Sequence, residues 1–452
     1  MWMKNTLISE KKLNIYKAHG CKGNCYKCTR KCSDAEQIDV QSEVIDGDID
    51  KKYDAYGIAI DLGTTTIAAA LVGFDFKNQA GEVALTASCV NHQRKYGADV
   101  ISRIDNASDP ETANDLKRLV TQDICGLVKE LSMKAKSDVT TICIAGNTTM
   151  LHLLRGYSVS GLGKYPYSPK SLDLEVFTGE ELSPDLSGYK VILFPGISAF
   201  VGADIVAGIY ALDMAEDPDK KSLMVDLGTN GEIAYFDGTK IYATSTAAGP
   251  VFEGGGISCG VPAINGAIKH INIGDFFPEL DIIGNDKPIG LCGTGVLETV
   301  AELLRCGLMD DTGLLCDQYF DSGYPLTREK DITITQGDIR NVQLAKAAIY
   351  SGIVNILDGS DADSVYISGG FGSHIDIDRI KNLKMFPEEL VPKALAAGNT
   401  SLKGCIKYLV QDLMGDGEKA LLEIKRITEI SEVIQLAELD QFDSDYIEAM
   451  NF

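Results

Sequence analysis

Residues 57–75 read GIAIDLGTTTIAAALVGFD, and residues 223–246 read LMVDLGTNGEIAYFDGTKIYATST. Each opens with an apolar run of strand character, breaks at Asp-Leu-Gly-Thr, and resumes as a second β-rich run. Asp61 and Asp226 therefore occupy equivalent places in two halves of the chain. A repeat so widely spaced implies duplication of a whole domain rather than stacking of short units. The pattern predicts an α/β protein of two duplicated lobes, residues 54–216 and 217–452, with residues 1–50 as a separate leading segment.

Outward from these turns, periodicity predicts further elements. Between residues 110 and 136, Leu116, Leu119, Val120, Ile124, Leu127, Val128 and Leu131 recur at three- and four-residue spacing, the apolar face of a helix. A strand ending in a polar turn follows at 139–147 (VTTICIAGN), then a short helix that Thr148 or Thr149 would cap. Helices are also expected at about 295–308, 339–357 and 417–436, with a strand and turn at 364–372 (SVYISGGFG).

At 452 residues and 48.7 kDa the chain exceeds one compact core. Its 45% hydrophobic and 24% charged residues are those of an ordinary globular protein. No signal-peptide core stands near the N-terminus, and no run approaches the roughly 20 apolar residues that cross a bilayer. The expectation is a cytoplasmic protein without a membrane partner. A formal net charge of −23 argues against duplex DNA or RNA, whose phosphates select basic surfaces. It leaves room for a nucleotide held by a few local groups.

A nucleoside triphosphate needs backbone N–H donors brought close, so glycine is required where a side chain would block approach. Gly63, Gly228 and Gly231 stand in the two turns, and Thr64, Thr65, Thr66, Thr229 and Asn230 add polar groups facing phosphate. Asp61 and Asp226, each at a strand end, suit Mg²⁺ or the water around it, because this hard cation prefers oxygen ligands. One such turn is ordinary chain punctuation. Two facing each other across a cleft would grip a triphosphate from both ends. Glu253, in the glycine-rich run GPVFEGGGISCG at 249–260, is either a base or nucleotide contact or a loop carboxylate facing water.

Asp61-Leu-Gly-Thr-Thr-Thr66 resembles the first phosphate loop of the actin-like ATPase superfamily, which includes Hsp70 and sugar kinases. Asp226-Leu-Gly-Thr-Asn-Gly231 resembles the second, and Ser368-Gly-Gly-Phe-Gly372, with Gly369, Gly370 and Gly372, resembles the adenosine-binding turn. The resemblance implies two RNase H-like lobes closing over Mg·ATP, with Asp226, Asp61 and Glu253 as the catalytic candidates.

A more specific likeness is to the reductive activators of corrinoid proteins. It rests on NHQRKYGADVISRI (91–104), AGNTTM (145–150), SAFVGAD (198–204), AAGPVFEGGG (247–256) and ISGGFG (367–372), in the order of that family. His92 stands where the family pattern has proline. The likeness implies an ATPase that pushes one electron uphill onto the Co(II) corrinoid of a methyltransferase-system protein, restoring Co(I). It implies a transient complex with that partner and a low-potential electron donor, and is compatible with a homodimer. The segment from Arg94 to Arg103 either contacts a partner or braces the lobe.

Twelve cysteines divide unevenly. Cys89, Cys125, Cys143, Cys259, Cys292, Cys306, Cys316 and Cys405 scatter singly and read as small buried hydrophobes. Cys21, Cys25, Cys28 and Cys32 fall within twelve residues, with Gly20 and Gly23 for tight turns. Four thiolates so placed suit a [4Fe–4S] cluster or a structural Zn²⁺. The run lacks the longer loop between two zinc knuckles, which favours the cluster. Lys17, Lys22, Lys27, Arg30 and Lys31 would depress the thiol pKa values and balance an anionic cluster. The first three cysteines also match the radical S-adenosylmethionine spacing, but Cys32 can fill the fourth position and an ATPase pattern follows. The acid-rich stretch 34–54 reads as a solvated linker. The expected protein is an ATP-dependent redox activator. The alternatives are a small-molecule kinase of the same superfamily and a zinc-stabilised, nucleotide-dependent binding protein.

Overall fold

The two quoted runs each fold into a β-hairpin around their Asp-Leu-Gly-Thr turn. Ala55–Leu62 (β1) pairs antiparallel with Thr66–Asp75 (β2) in the first half of the chain. The structure is a computed structural model and describes residues 51–274, 277–285, 287–369 and 376–452. The cysteine run Cys21–Cys32 and the turn residues Gly370 and Gly372 lie outside the described residues.

The first half continues with β3 (Ala80–Val90), α1 (Val100–Asn106), α2 (Pro110–Lys134), β4 (Val139–Gly146), α3 (Thr148–Arg155), β5 (Glu175–Thr178), β6 (Lys190–Leu193) and α4 (Ala203–Ala211). Its sheet has the order β3-β2-β1-β4-β6-β5. The second half begins with β7 (Ser222–Leu227), β8 (Gly231–Phe236) and β9 (Ile241–Thr246). There follow β10 (Ala267–Asn272), β11 (Glu279–Ile282), β12 (Gly290–Leu291), α5 (Gly293–Arg305), α6 (Asp317–Phe320), β13 (Tyr324–Pro325) and β14 (Thr333–Ile334). The chain closes with α7 (Gln336–Leu357), β15 (Ser364–Ser368), α8 (Ile377–Ile380), β16 (Ala394–Gly398), α9 (Thr400–Leu413), α10 (Gly417–Glu429), β17 (Ser431–Val433) and α11 (Phe442–Glu448).

The second large sheet runs β16-β15-β7-β8-β9-β17. Its strands β9-β8-β7-β15-β16 repeat β3-β2-β1-β4-β6, with an antiparallel hairpin pair on one side and parallel strands on the other. The duplication inferred from the two turns is therefore a duplication of sheet topology.

Three cores hold the fold. One lies on the outer face of the first sheet, where Leu116, Val120, Ile124 and Leu131 of α2 cover Ile58, Ile60 and Ile142. A second joins β7 and β8 to α5 and α7. The third lies between the sheets, with α4, α9 and α10 packed against the inner strand faces. Although α9 follows a strand of the second sheet, it lies on the first: a Cβ on Gly57 of β1 would stand 2.8 Å from Leu409 Cδ2. Small residues let α9 approach α4, since a Cβ on Gly404 would meet Ala207 O at 2.2 Å.

Several expectations are corrected. The cap of α3 is Asn147, whose Oδ1 accepts from Met150 N at 2.9 Å, rather than Thr148 or Thr149. The helix expected to reach residue 436 ends at Glu429, and Ser431–Val433 joins β9 as a parallel edge strand. That run (ISEVI) is rich in β-branched residues, so its apolar spacing fits a strand as well as a helix turn. Helices α4 and α9 were not among the expected elements. Among the described residues, no helix is long and apolar enough to cross a membrane.

Candidate functional site

The turn of residues 63–65 between β1 and β2 and the turn of 228–230 between β7 and β8 each follow a strand that ends in an Asp-Leu pair. Asp61 and Asp226 are half-buried and close enough that each one's charge acts on the site's other acids. Both Asp61 oxygens are held from α9: Ser401 Oγ donates to Oδ1 and Asn399 Nδ2 to Oδ2, each at 2.7 Å. Asn399 also caps α9, its Oδ1 accepting from Leu402 N at 2.8 Å. Ser368 Oγ donates to Asp226 Oδ2 at 3.0 Å. The next residue, Gly369, has φ +98°, and a Cβ there would stand 2.6 Å from Leu227 O and 3.0 Å from Asp226 Oδ1. Only glycine fits where the third motif meets the second.

Gly228 faces the acids: a Cβ there would lie 4.0 Å from both Asp226 Oδ1 and Glu253 Oε1. Glu253 is exposed at the rim and accepts from Thr229 Oγ1 at 3.2 Å. A Cβ on Gly231 would instead meet Ile349 Cδ1 of α7 at 2.1 Å and Thr246 Oγ1 of β9 at 2.7 Å, so packing rather than ligand approach favours glycine there. Thr64 is buried, while Thr65 and Thr66 are exposed. Asn147 Nδ2 donates to Thr64 Oγ1 at 3.0 Å, and a Cβ on Gly202 would stand 2.7 Å from Thr148 N. AGNTTM, SAFVGAD and the first turn are thus contiguous in space.

Two acids escaped the sequence reading. Asp204 opens α4, and Glu232 pairs directly across the β7–β8 ladder with Asp226. Burial pushes the Asp204 carboxyl up to about 7, with the charges of Asp226 and Asp61 adding to the shift. Burial likewise raises Asp226 to about 6, opposed by the Ser368 hydroxyl and reinforced by Asp61 and Glu253. Glu232 is held well above the ordinary carboxylate range by burial and then by Asp204 and Asp226. Burial raises Asp61 as well, against its two hydrogen bonds. The signal for Asp204 was its place in SAFVGAD, and for Glu232 its place beside Gly231.

Burial, with mutual repulsion behind it, raises these carboxyls for lack of counter-charge, which is the electrostatics of a cation or cationic-ligand site. Among the described residues, no three His, Cys, Asp or Glu side chains close around one metal position. A divalent ion here would complete its shell with water and ligand oxygens, as Mg²⁺ does. The eight described cysteines are free thiols. Burial pushes Cys89 and Cys259 up to about 12, which leaves them unreactive.

Residues 220–452 match the family described as the C-terminal domain of RACo, the ASKHA domain, and residues 56–217 match the RACo middle region. The chain is 32% identical over 395 residues to the corrinoid activation enzyme RamQ of Eubacterium limosum, covering 80% of this chain and 65% of the relative. It is 25% identical over 433 residues to the Co(II) methylated amine-specific corrinoid protein reductase of Methanosarcina barkeri, covering 87% and 76%. The solved structure of a reductive activator for a corrinoid, iron-sulfur protein matches with a TM-score of 0.77 at 30% identity, over 88% of this chain and 66% of its own. The chain spans just under two thirds of the length of RamQ and of that solved activator. With the ASKHA domain alone matching more than half of its residues, the chain belongs to the RACo family of reductive activators of corrinoid proteins.

Proposed function

We propose that this protein is an ATP-dependent activator that returns the Co(II) corrinoid of a partner protein to Co(I). The observation that carries the reading is the convergence of two duplicated Asp-Leu-Gly-Thr turns on one cluster of acids, in a member of this family. Asp226 would hold Mg²⁺ directly or through water, with Asp61 and Asp204 acting on it from the opposite turn and from α4. Thr64, Thr65, Thr66, Thr229 and Asn230 would face phosphate oxygens. Gly369, with Gly370 and Gly372, would pass close to the adenosine. Glu253, tethered to Thr229, would orient water rather than bind the ion.

Bound ATP would supply a phosphoanhydride and a tight grip on both turns at once. Because Asp61 is tied to α9 and Asp226 to β15, nucleotide seated between them would bias how the two sheets close on each other. That bias matters only if the closed arrangement binds ATP better than the open one. Cys21, Cys25, Cys28 and Cys32 would hold a [4Fe–4S] cluster, which supplies one electron at low potential. A low-potential donor would load it, and the corrinoid protein would bind transiently in the cytoplasm.

The test is anaerobic reduction of a Co(II) corrinoid protein, followed by the Co(I) absorbance with and without Mg·ATP. Reduction should require ATP. Asp226→Asn should slow it at least roughly tenfold, and Cys25→Ser with Cys28→Ser should abolish it while leaving ATP binding intact. Reduction surviving in the cysteine variant would remove the cluster from the mechanism. Zinc in place of iron and sulfide would favour a nucleotide-dependent binding protein.

A further inference from the structure

Arg103 heads the fully buried side chains of the described residues by volume, at 0% exposure. Its guanidinium donates only to neutral acceptors. Nη2 reaches Thr64 O at 2.6 Å, Nε reaches Gly97 O at 3.0 Å, and Nη1 lies 3.4 Å from Gln93 Oε1 and 3.1 Å from Met150 Sδ. Asp99 is the nearby acid whose charge favours the guanidinium, but its two oxygens cap α1 through Ser102 N and Oγ, each at 2.8 Å. Burial lowers the Arg103 pKa to about 10, so the group is still a cation at neutral pH. A buried cation without a paired anion is strongly disfavoured unless something offsets it.

Asn91, also 0% exposed, grips the same turn. Its Nδ2 donates to Gly63 O at 3.0 Å, its backbone N–H to Thr65 O at 2.9 Å, and its Oδ1 accepts from Gln93 N at 3.0 Å. The carbonyls of Gly63, Thr64 and Thr65 are thus all fastened by two residues of one segment. In a trans peptide the C=O of one residue and the N–H of the next point in opposite directions. Fastening the Gly63 and Thr64 carbonyls therefore aims the N–H groups of Thr64 and Thr65 the other way. Among the described residues, neither N–H makes a hydrogen bond. The arrangement is a nest of backbone donors with a positive charge behind it, which is what a polyphosphate requires.

We propose that Arg103 and Asn91 form a bracket that presets the first phosphate loop and lends it positive charge, so that the protein grips the polyphosphate of its nucleotide rather than the nucleoside. The inference rests on the nucleotide reading above and deepens it. Both are positioning residues, because they act through the loop without touching ligand. Their burial removes the partner-contact role from Arg103 and Asn91, leaving the bracing one.

The test is the affinity of the full chain for ATP and for adenosine, measured by calorimetry and competition, on Arg103→Met, Arg103→Lys and Asn91→Asp. Asn91→Asp is nearly isosteric, replaces the donor to Gly63 O with an acceptor, and sets a negative charge beside Arg103. It should fold, with some loss of stability from the oxygen now facing Gly63 O, and bind ATP roughly tenfold or more weakly, with adenosine within about twofold. Arg103→Met should do the same, and Arg103→Lys, which keeps the charge but not the fork, should fall between. If Arg103→Met does not fold, Asn91→Asp decides. Unchanged ATP affinity in the folded variants, or ATP and adenosine weakened in equal proportion, would overturn the bracket. Wild type that bound no nucleotide would instead overturn the site reading on which it rests, before any variant was made.

Discussion

Lys346, on α7, carries an ammonium that water does not reach: the residue is 0% exposed. Its Nζ donates to Asn451 O and lies 5.2 Å from the Phe452 ring, while Lys384 Nζ reaches Phe452 O at 2.7 Å. Burial, then the Lys384 charge, lowers its pKa to about 8. Because the folded pKa lies below the unfolded value near 10.5, the unfolded chain binds more protons between those limits, and this residue's contribution to stability rises with pH there. Below about 8 the penalty is fully present. Relative to Lys346→Met, wild type should therefore gain roughly 2 kcal/mol of unfolding free energy between pH 8 and 10.5. Chemical denaturation of both proteins across that range checks it, and parallel curves would remove the buried charge from the account. Residues of this kind are illegible in sequence, because Lys346 occupies an unremarkable helix position until Asn451 and Phe452 arrive from far along the chain. Asp61 and Asp226 were legible for the opposite reason: a repeated local pattern marks them. His92 was legible as a departure only. Its backbone N–H donates to Asp123 Oδ2 at 2.9 Å and its Nδ1 lies 2.6 Å from Asp123 Oδ1, a pairing for which proline has neither group.

At the scale of the element, the start of α7 decides where the glycine-rich loop of Glu253 sits. Thr335 and Asp338 form a reciprocal cap, with Thr335 N donating to Asp338 Oδ2 at 2.8 Å and Asp338 N to Thr335 Oγ1 at 3.2 Å. The same carboxylate accepts from Ser258 N at 2.6 Å and Ser258 Oγ at 2.5 Å. One turn on, Asn341 Nδ2 donates to Gly256 O at 2.7 Å. Asp338→Ala removes its half of the cap and strips the half-buried Thr335 and the exposed Ser258 of their shared acceptor, a loss of about 2–4 kcal/mol. Asp338→Asn, which keeps one acceptor, should lose about half as much. Urea unfolding measures both, and a change under about 0.5 kcal/mol for the alanine variant would mean the loop is held elsewhere. The sequence placed this helix three residues late, at 339, because its capping turn is polar and carries no apolar period. For α2 the expected start at Pro110 matched, since proline there coincides with a side-chain cap from Asp109.

For the whole molecule, the question is whether two lobes of duplicated topology are two folding units. The first sheet has two apolar faces, and helices of the first half cover only the outer one completely. Ala59, Ala70, Val72, Cys143 and Ala145 face the core shared with α9, whose Cys405, Tyr408 and Leu409 are 0% exposed. Removing the second half would expose that face and strip Asp61 of both its donors, Asn399 and Ser401. Each buried side chain of that size contributes about 1.5–3 kcal/mol, and each hydrogen bond to a charged group a similar amount. Their sum rivals the whole stability of an ordinary domain, about 5–15 kcal/mol. Periodicity showed neither α9 nor its crossing, because contacts between residues 61 and 401 leave no local trace. Residues 51–219 alone should therefore bind a hydrophobic dye and unfold without a cooperative transition, and co-expression with residues 220–452 should restore one sharp transition. The intact chain should melt in a single step whose midpoint rises with Mg·ATP, since nucleotide would engage turns from both halves at once. If the first half instead folds cooperatively by itself, the lobes are independent, and α9 is a hinge resting on a finished surface. Closure would then be free to occur without loss of stability. If it does not, nucleotide would work on a single cooperative body, and any movement between the sheets would pass through the α4–α9 contact.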